Sequence, residues 1–260
     1  MPAEVCYVCP SCKGPLKRDT DRFQCDPCHA VFTTTKGLTD FAAAYSGPDE
    51  YSAFRRAYGK FFDLLGPIYE SPVWYQFTLN LSGARGNSIQ SIADFVSQTL
   101  SGVSGAILDV ACGTATYSRR VAAPGRSVYG IDLSVGMLRQ GLRFLEKERI
   151  TNVHLARANV MKLPFAATVF DAAICAGSLH LFPDPVVALR GIWQTLKPGA
   201  PFAVQTFIPK KDARKQSVKQ KTGFHEFQPE ELLARLTESG FGDFLTTTRG
   251  TVLTVASRKR

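Results

Sequence analysis

From Ala106 to the C-terminus the chain alternates short apolar runs with stretches of helical periodicity, and this alternation limits the fold more than any other feature of the 260 residues. Ala106–Val110, Ser127–Ile131, Val153–Ala158, Val169–Cys175 and Pro201–Phe207 read as strands. Thr114–Ala123, Pro185–Leu196 and Pro229–Ser239 read as helices, the last two stopped by Lys197-Pro198-Gly199 and by Gly240. Ser134 is placed to cap a further helix reaching Glu148, because its side-chain oxygen can accept from an unpaired amide of the first turn. Phe244–Thr248 and Val252–Ser257 flank Arg249-Gly250 and would close the chain as a hairpin. A strand that returns through a helix must pair parallel to its predecessor. The expected fold class is therefore α/β: a doubly wound, mostly parallel, seven-stranded Rossmann-like sheet.

The first hundred residues have a different character. Five of the seven cysteines are Cys6, Cys9, Cys12, Cys25 and Cys28. Cys9 and Cys12 are followed by twelve residues and then by Cys25 and Cys28, which is zinc-ribbon spacing. Each pair presents two thiolates to one ion, and a saturated four-thiolate site is structural. About forty residues bury little apolar surface, so a bound Zn2+ would supply the missing folding energy. Cys25-x3-His29 leaves His29 as an alternative to Cys28 in the ligand set, and Cys6 is expected to stay outside it. Residues 41–100 are aromatic, with Phe61, Phe62, Tyr69, Trp74 and Phe77 at roughly helical intervals. Three regions follow: a ribbon at 1–40, an aromatic helical lid or linker at 41–100, and an α/β domain at 101–260.

Three strand ends carry candidate binding residues. Ile107 opens ILDVACGTATYSRR, a carboxylate (Asp109) at a strand end followed by a turn of small residues, Ala111, Cys112 and Gly113. Small residues let a ligand approach the backbone closely. The second strand ends in YGIDLSVGML, with Asp132 where an acidic side chain accepts from ribose hydroxyls. The third ends in ARANVMKLPF, with Asn159 and Val160 placed to read a base edge.

Together with FDAAICAGSLHLFPDP and LKPGAPFAVQTF, these segments resemble the class I S-adenosylmethionine-dependent methyltransferases, in particular the ubiquinone/menaquinone C-methyltransferases. The resemblance spans about Gly105 to Lys259. It implies S-adenosyl-L-methionine as cofactor, with Asp109 and the Ala111–Gly113 turn holding the methionine part and Asp132 the ribose. It further implies Leu133 and Met137 flanking the adenine, Asn159 and Val160 reading its edge, and Ala176 at the end of the fourth strand. Ala111 and Ala115 stand where the family has glycine, and Asn159 where it has aspartate. The ribbon sequence CPSCKGPL is in turn similar to the start of the bacterial large-subunit rRNA guanine N-methyltransferases.

A sulfonium is already an activated methyl donor, so such an enzyme chiefly aligns the reactants and excludes water. Where the acceptor must lose a proton, His180 and His225 are the candidate bases. Cys112 and Cys175 read as small hydrophobes in strand ends. Two substrate classes compete. An aromatic lid favours a small or lipophilic molecule. The net charge of +9 and the run Lys210, Lys211, Arg214, Lys215, Lys219 and Lys221 would suit RNA. The small molecule is preferred, with a ligand-binding protein lacking activity as a third reading. No apolar run reaches the roughly 20 residues a membrane span needs. The N-terminus lacks a charged stretch leading into an apolar one, so a reducing, cytoplasmic setting is expected.

Overall fold

The computed structural model describes residues 7–42, 60–74, 76–77, 84, 86–209, 225 and 227–260. Four short strands come first: β1 (Leu16–Arg18), β2 (Arg22–Cys25), β3 (Val31–Thr35) and β4 (Leu38–Asp40). After α1 (Ile89–Thr99) the alternation begins with β5 (Gly105–Val110), α2 (Thr116–Val121), β6 (Arg126–Asp132), α3 (Val135–Glu148) and β7 (Val153–Arg157). It continues through β8 (Ala172–Ala176), α4 (Pro185–Thr195), β9 (Pro201–Phe207) and α5 (Pro229–Glu238) to the hairpin β10 (Phe241–Arg249) and β11 (Val252–Lys259). Cys6 and the basic run from Lys210 to Lys221 lie outside the described residues, as do residues 43–59, 75, 78–83 and 85 of the expected lid. No helix among the described residues is long and apolar enough to cross a membrane.

The expected seven strands are present, in the order β7-β6-β5-β8-β9-β11-β10. β5 pairs parallel with both β6 and β8, and of the seven only β11 is reversed, lying antiparallel between β9 and β10. Alternation along β5 sorts its side chains onto two faces, as a pleated strand requires. Leu108 and Val110 join one apolar cluster with Leu189 and Ile192 of α4 and Leu232 and Leu236 of α5. Ile107 joins the other with Ile92 and Val96 of α1, Val121 of α2 and Leu138 of α3. Helices therefore cover both faces.

Element bounds depart from expectation where backbone geometry intervenes. α2 starts at Thr116 rather than Thr114 because Ala115 is left-handed, at φ 62°. β8 starts at Ala172 because Val169 and Phe170 both donate to the Thr195 carbonyl and lie against the end of α4 instead. β10 begins three residues earlier than expected, carrying a bulge between Gly242 and Leu245.

The ribbon does not stand apart. β4 pairs parallel with β7, Thr39 against Ala156 and Asp40 against Arg157, so β1–β4 extend the sheet to eleven strands. The edge of an open sheet presents unpaired amides and carbonyls, and β4 covers it. Phe32 and Phe41 of the ribbon are buried in the same cluster as Leu108.

Strand order reverses at β5, whose neighbours β6 and β8 lie on opposite sides. Ligands of open α/β sheets bind at such a point, outside the carboxyl ends of the strands.

Candidate functional site

Three residues of the turn after β5 are left-handed: Ala111 at φ 55°, Gly113 at φ 56° and Ala115 at φ 62°. A left-handed conformation costs an L-residue roughly 1–2 kcal/mol. Glycine would adopt it freely, so the methyl groups of Ala111 and Ala115 strain the loop. The tight bend is held by Cys112 donating its amide to the Ile131 carbonyl at 3.0 Å. The Cys112 side chain packs under Gly130, where a Cβ would fall 2.8 Å from Sγ. Burial pushes the Cys112 thiol well up, as it does that of Cys175, to about 12, so both are protonated hydrophobes.

Asp109, at the carboxyl end of β5, is buried and accepts from Ser118 Oγ at 2.6 Å. Burial raises its carboxyl to about 7; the Ser118 bonds oppose the rise and the nearby Asp132 adds to it. Asp132 ends β6. Its Oδ2 accepts from the Gly113 amide at 2.9 Å and its Oδ1 from the Ser134 amide at 2.8 Å. The carboxylate thus ties the first turn to the second rather than facing it across a gap. A carboxylate has about four lone-pair sites, so with the Gly113, Ser134 and Leu133 amides counted it keeps capacity for a further donor. Burial holds this carboxyl above its usual range, against the opposing amide bonds.

The remaining candidates surround this tie. Met137 is buried, and a Cβ on Gly113 would lie 3.1 Å from its Cε. Leu133 and Ala176 are half-buried at the ends of β6 and β8. Asn159 is buried after β7, where its Oδ1 accepts from the Met161 amide at 3.0 Å and caps a single 3-10 turn over Val160–Lys162. One lone pair of that oxygen therefore serves the backbone.

His180 and His225 meet, although 44 residues of sequence intervene. The His225 amide donates to the His180 carbonyl at 2.9 Å. The His180 ring lies edge-on to Phe207 at 5.4 Å between centroids. Burial, with a smaller contribution from His225, lowers the His180 imidazole to about 4, so it is neutral at pH 7. The His225 ring stacks on Phe227, and its Nε2 lies 3.2 Å from the Pro183 carbonyl oxygen.

Two acids that sequence reasoning passed over reach the same region. Asp63 Oδ1 accepts from Ser134 Oγ at 2.6 Å and from the Gly136 amide at 2.9 Å, at the start of α3. Glu70 Oε1 accepts from Thr114 Oγ1 at 2.5 Å and from Thr116 Oγ1 at 2.7 Å, and both carboxylate oxygens bond Arg119 Nη2 at 2.5 Å. A Cβ on Gly136 would lie 2.1 Å from the Asp63 carbonyl oxygen, so glycine is required for this backbone approach. The visible signal was two acids seven residues apart, flanking Gly66-Pro67 within the aromatic segment.

The cysteine pairs converge as well. Sγ atoms of Cys9, Cys12, Cys25 and Cys28 all lie within 4.8 Å of one another, with Cys9 to Cys28 at 3.5 Å and Cys12 to Cys25 at 3.3 Å. A tetrahedral ion with Zn–S bonds of about 2.3 Å sets its sulfurs roughly 3.8 Å apart, so the four thiols fit such an ion. The two loops share one geometry: the Lys13 amide donates to Cys9 and the His29 amide to Cys25, each at 2.9 Å. Lys13 and His29 are both left-handed, near φ 60°. His29 therefore occupies the turn position that follows each pair, and Cys28 is the residue grouped with the other thiols.

Residues 107–199 match the family model described as a methyltransferase domain. Over that stretch the chain is similar to methyltransferase domains. An uncharacterised chloroplastic methyltransferase of Arabidopsis thaliana is 28% identical over 223 residues, 78% of this chain and 62% of that protein. A demethylmenaquinone methyltransferase of Geobacillus sp. (strain WCH70) is 35% identical over 95 residues, covering 35% of this chain and 41% of that protein. The chain thus spans less than two thirds of the length of either relative. Among solved structures, phosphoethanolamine N-methyltransferase 2 of Haemonchus contortus, in complex with S-adenosyl-L-methionine, has a TM-score of 0.62 at 15% identity, covering 82% of this chain and 61% of that one. The [4+2]-cyclase SpnF is similar at the same TM-score, 20% identical, covering 78% of this chain and 94% of that one. At these identities the two structures attest the fold.

Proposed function

We propose that the chain is an S-adenosyl-L-methionine-dependent methyltransferase whose acceptor is a small or lipophilic molecule. One observation carries this reading: at the switch point of the sheet, Asp132 is bonded to the amide of Gly113 inside a turn that is left-handed three times over. The cofactor, when bound, supplies an activated methyl group on a sulfonium. The residues around it have separable tasks. Asp132 offers its open lone pairs to the ribose hydroxyls, and Leu133 and Met137 supply apolar contact for the base. Asn159 and the Val160 amide read the base edge, while Asp109, with Ala111 and Cys112, borders the methionine part. His180, already neutral, is able to accept a proton from the acceptor, with His225 beside it and Ala176 at the adjoining strand end. Asp63 and Glu70 hold segment 60–70 across the starts of α2 and α3, which limits water entry.

Three features support an apolar acceptor: the ring contacts among Phe61, Phe62, Tyr69, Trp74 and Phe77, the Phe207 ring against His180, and the relative named a demethylmenaquinone methyltransferase. We assign the four thiolates to one structural Zn2+.

Calorimetry with S-adenosylhomocysteine tests the first half. Binding is expected, and Asp132→Ala should weaken it at least a hundredfold, because both the ribose acceptor and the Gly113 tie are lost. A folded protein giving no heat at millimolar ligand refutes the assignment. Methyl-labelled cofactor incubated with cell extract tests the second half: label should enter the solvent-extractable fraction, and label confined to RNA overturns the choice of acceptor.

A further inference from the structure

The cysteine ribbon holds the backbone that borders the nucleoside end of the crevice. Three of its residues reach that end: two donate to loop carbonyls, and the third bonds an arginine that donates to the Leu133 carbonyl. Asp40 Oδ2 accepts from Arg157 Nη1 at 2.9 Å, and Arg157 Nε donates to the carbonyl of Leu133 at 3.0 Å. Lys13, which sits between the first cysteine pair and Gly14, donates Nζ to the Leu163 carbonyl at 2.7 Å. Val8, next to Cys9, donates its amide to the Pro164 carbonyl at 3.0 Å. Leu133 follows Asp132, and Leu163-Pro164 closes the short loop that begins at Asn159.

Packing reinforces these bonds. Tyr7 stacks on Phe165 at 5.4 Å between centroids and touches Phe41 at 4.9 Å. Cys9 and Cys25 are buried in one cluster with Ala158, Val160 and Leu163. The Phe41 amide donates to the Arg157 carbonyl at 2.8 Å, and the Ala158 amide to that of Asp132 at 3.0 Å. Ribbon, β7 and the Asp132–Ser134 loop therefore form one continuous set of contacts. A ribbon this small draws much of its folding energy from its four-thiolate site. Metal loading thus decides whether Asp40, Lys13 and Val8 stay in register with the sheet.

We infer that metal in the ribbon and the nucleoside ligand bind cooperatively, with Arg157 as the positioning residue that couples them by fixing the Leu133 carbonyl. The inference rests on the cofactor reading given above. Coupling between sites is reciprocal: zinc must tighten the nucleoside ligand by the factor with which that ligand tightens zinc.

The test is calorimetric titration of S-adenosylhomocysteine into zinc-loaded and chelator-treated full-length protein, with zinc affinity measured against a chromophoric chelator with and without saturating S-adenosylhomocysteine. Removal of zinc should weaken S-adenosylhomocysteine about tenfold, within the usual range of such couplings. Asp40→Asn and Arg157→Lys should keep one zinc per chain yet bind S-adenosylhomocysteine several-fold more weakly, which covers the case in which chelation unfolds the chain. Lys17→Ala, which breaks only an exposed ribbon ion pair with Asp26, should change nothing. Wild-type affinity in both Asp40→Asn and Arg157→Lys overturns the inference, as does equal affinity in folded protein with and without zinc. Loaded wild-type protein that binds no S-adenosylhomocysteine overturns the cofactor reading instead.

Discussion

Glu70→Ala is the most exacting test of how the crevice is built. Glu70 accepts from Thr114, Thr116 and Arg119 at 2.5–2.7 Å. Its side chain is 15% exposed and that of Arg119 only 7%. Hydrogen bonds to a charged group contribute about 1.5–3 kcal/mol each when one partner is removed, and breaking a buried ion pair costs about 3–5 kcal/mol. These figures overlap rather than add. Arg119 also keeps Glu148 as a second partner and Phe144 under its guanidinium, 4.6 Å from the ring centroid. The lower figure, about 3 kcal/mol, is therefore expected in urea unfolding. A double-mutant cycle with Arg119→Met isolates the pair and should return a coupling of about 2 kcal/mol. Hydrogen exchange should show the loss concentrated in residues 60–74, because the bonds that tie that segment to the start of α2 are lost and the Asp63 bonds to the start of α3 remain. The pH dependence has a definite sign. Burial pushes the Glu70 carboxyl up, but Arg119 and the two threonines outweigh it and leave it below its usual value. A depressed carboxylate stabilises the fold above its unfolded pKa, about 4.3, and that contribution disappears as pH falls through the folded value. The variant should accordingly show a flatter stability profile below about pH 5. A coupling under about 0.5 kcal/mol, the scatter of independent sites, would refute the latch.

Four further outcomes follow from the same geometry. Asp109, raised to about 7 by burial, makes its largest contribution to stability below pH 4 and loses it as pH rises toward 7. Asp109→Asn should remove a decline on the order of 4 kcal/mol over that window, read by thermal melts at stepped pH. Ala111→Gly should raise stability by up to about 1 kcal/mol by relieving the left-handed alanine, and a lowered melting temperature would count against strain in the turn. Cys25→Ser should abolish stoichiometric zinc, whereas His29→Ala should leave the metal content of purified protein unchanged. His180→Gln should lower kcat with little change in S-adenosylhomocysteine affinity; an equal loss in both would assign His180 to cofactor binding rather than proton transfer.

Much of the fold is visible in local patterns. Apolar runs alternating with helical stretches specify seven strands because side-chain periodicity is a property of neighbouring residues. Ser134 caps α3 through its bond to the Met137 amide, as its position before an amphipathic stretch indicates. The paired cysteines declare a four-thiolate cluster because their loops are local and only their meeting is not. Asp109, Asp132 and Asn159 mark three strand ends that a parallel sheet must bring to one edge.

The sequence by itself thus determined the doubly wound sheet, its turn chemistry and the residues at its carboxyl edge. Tertiary structure alone decided that β4 joins β7, that Asp40 reaches Arg157 across 117 residues, and that Glu70 reaches Thr114 across 44. It also decided that Ala111 and Ala115 stay left-handed and that His180 lies beside His225. The reason is physical: periodicity and spacing report what a residue demands of its near neighbours, whereas these contacts depend on where the path of the chain delivers two distant groups.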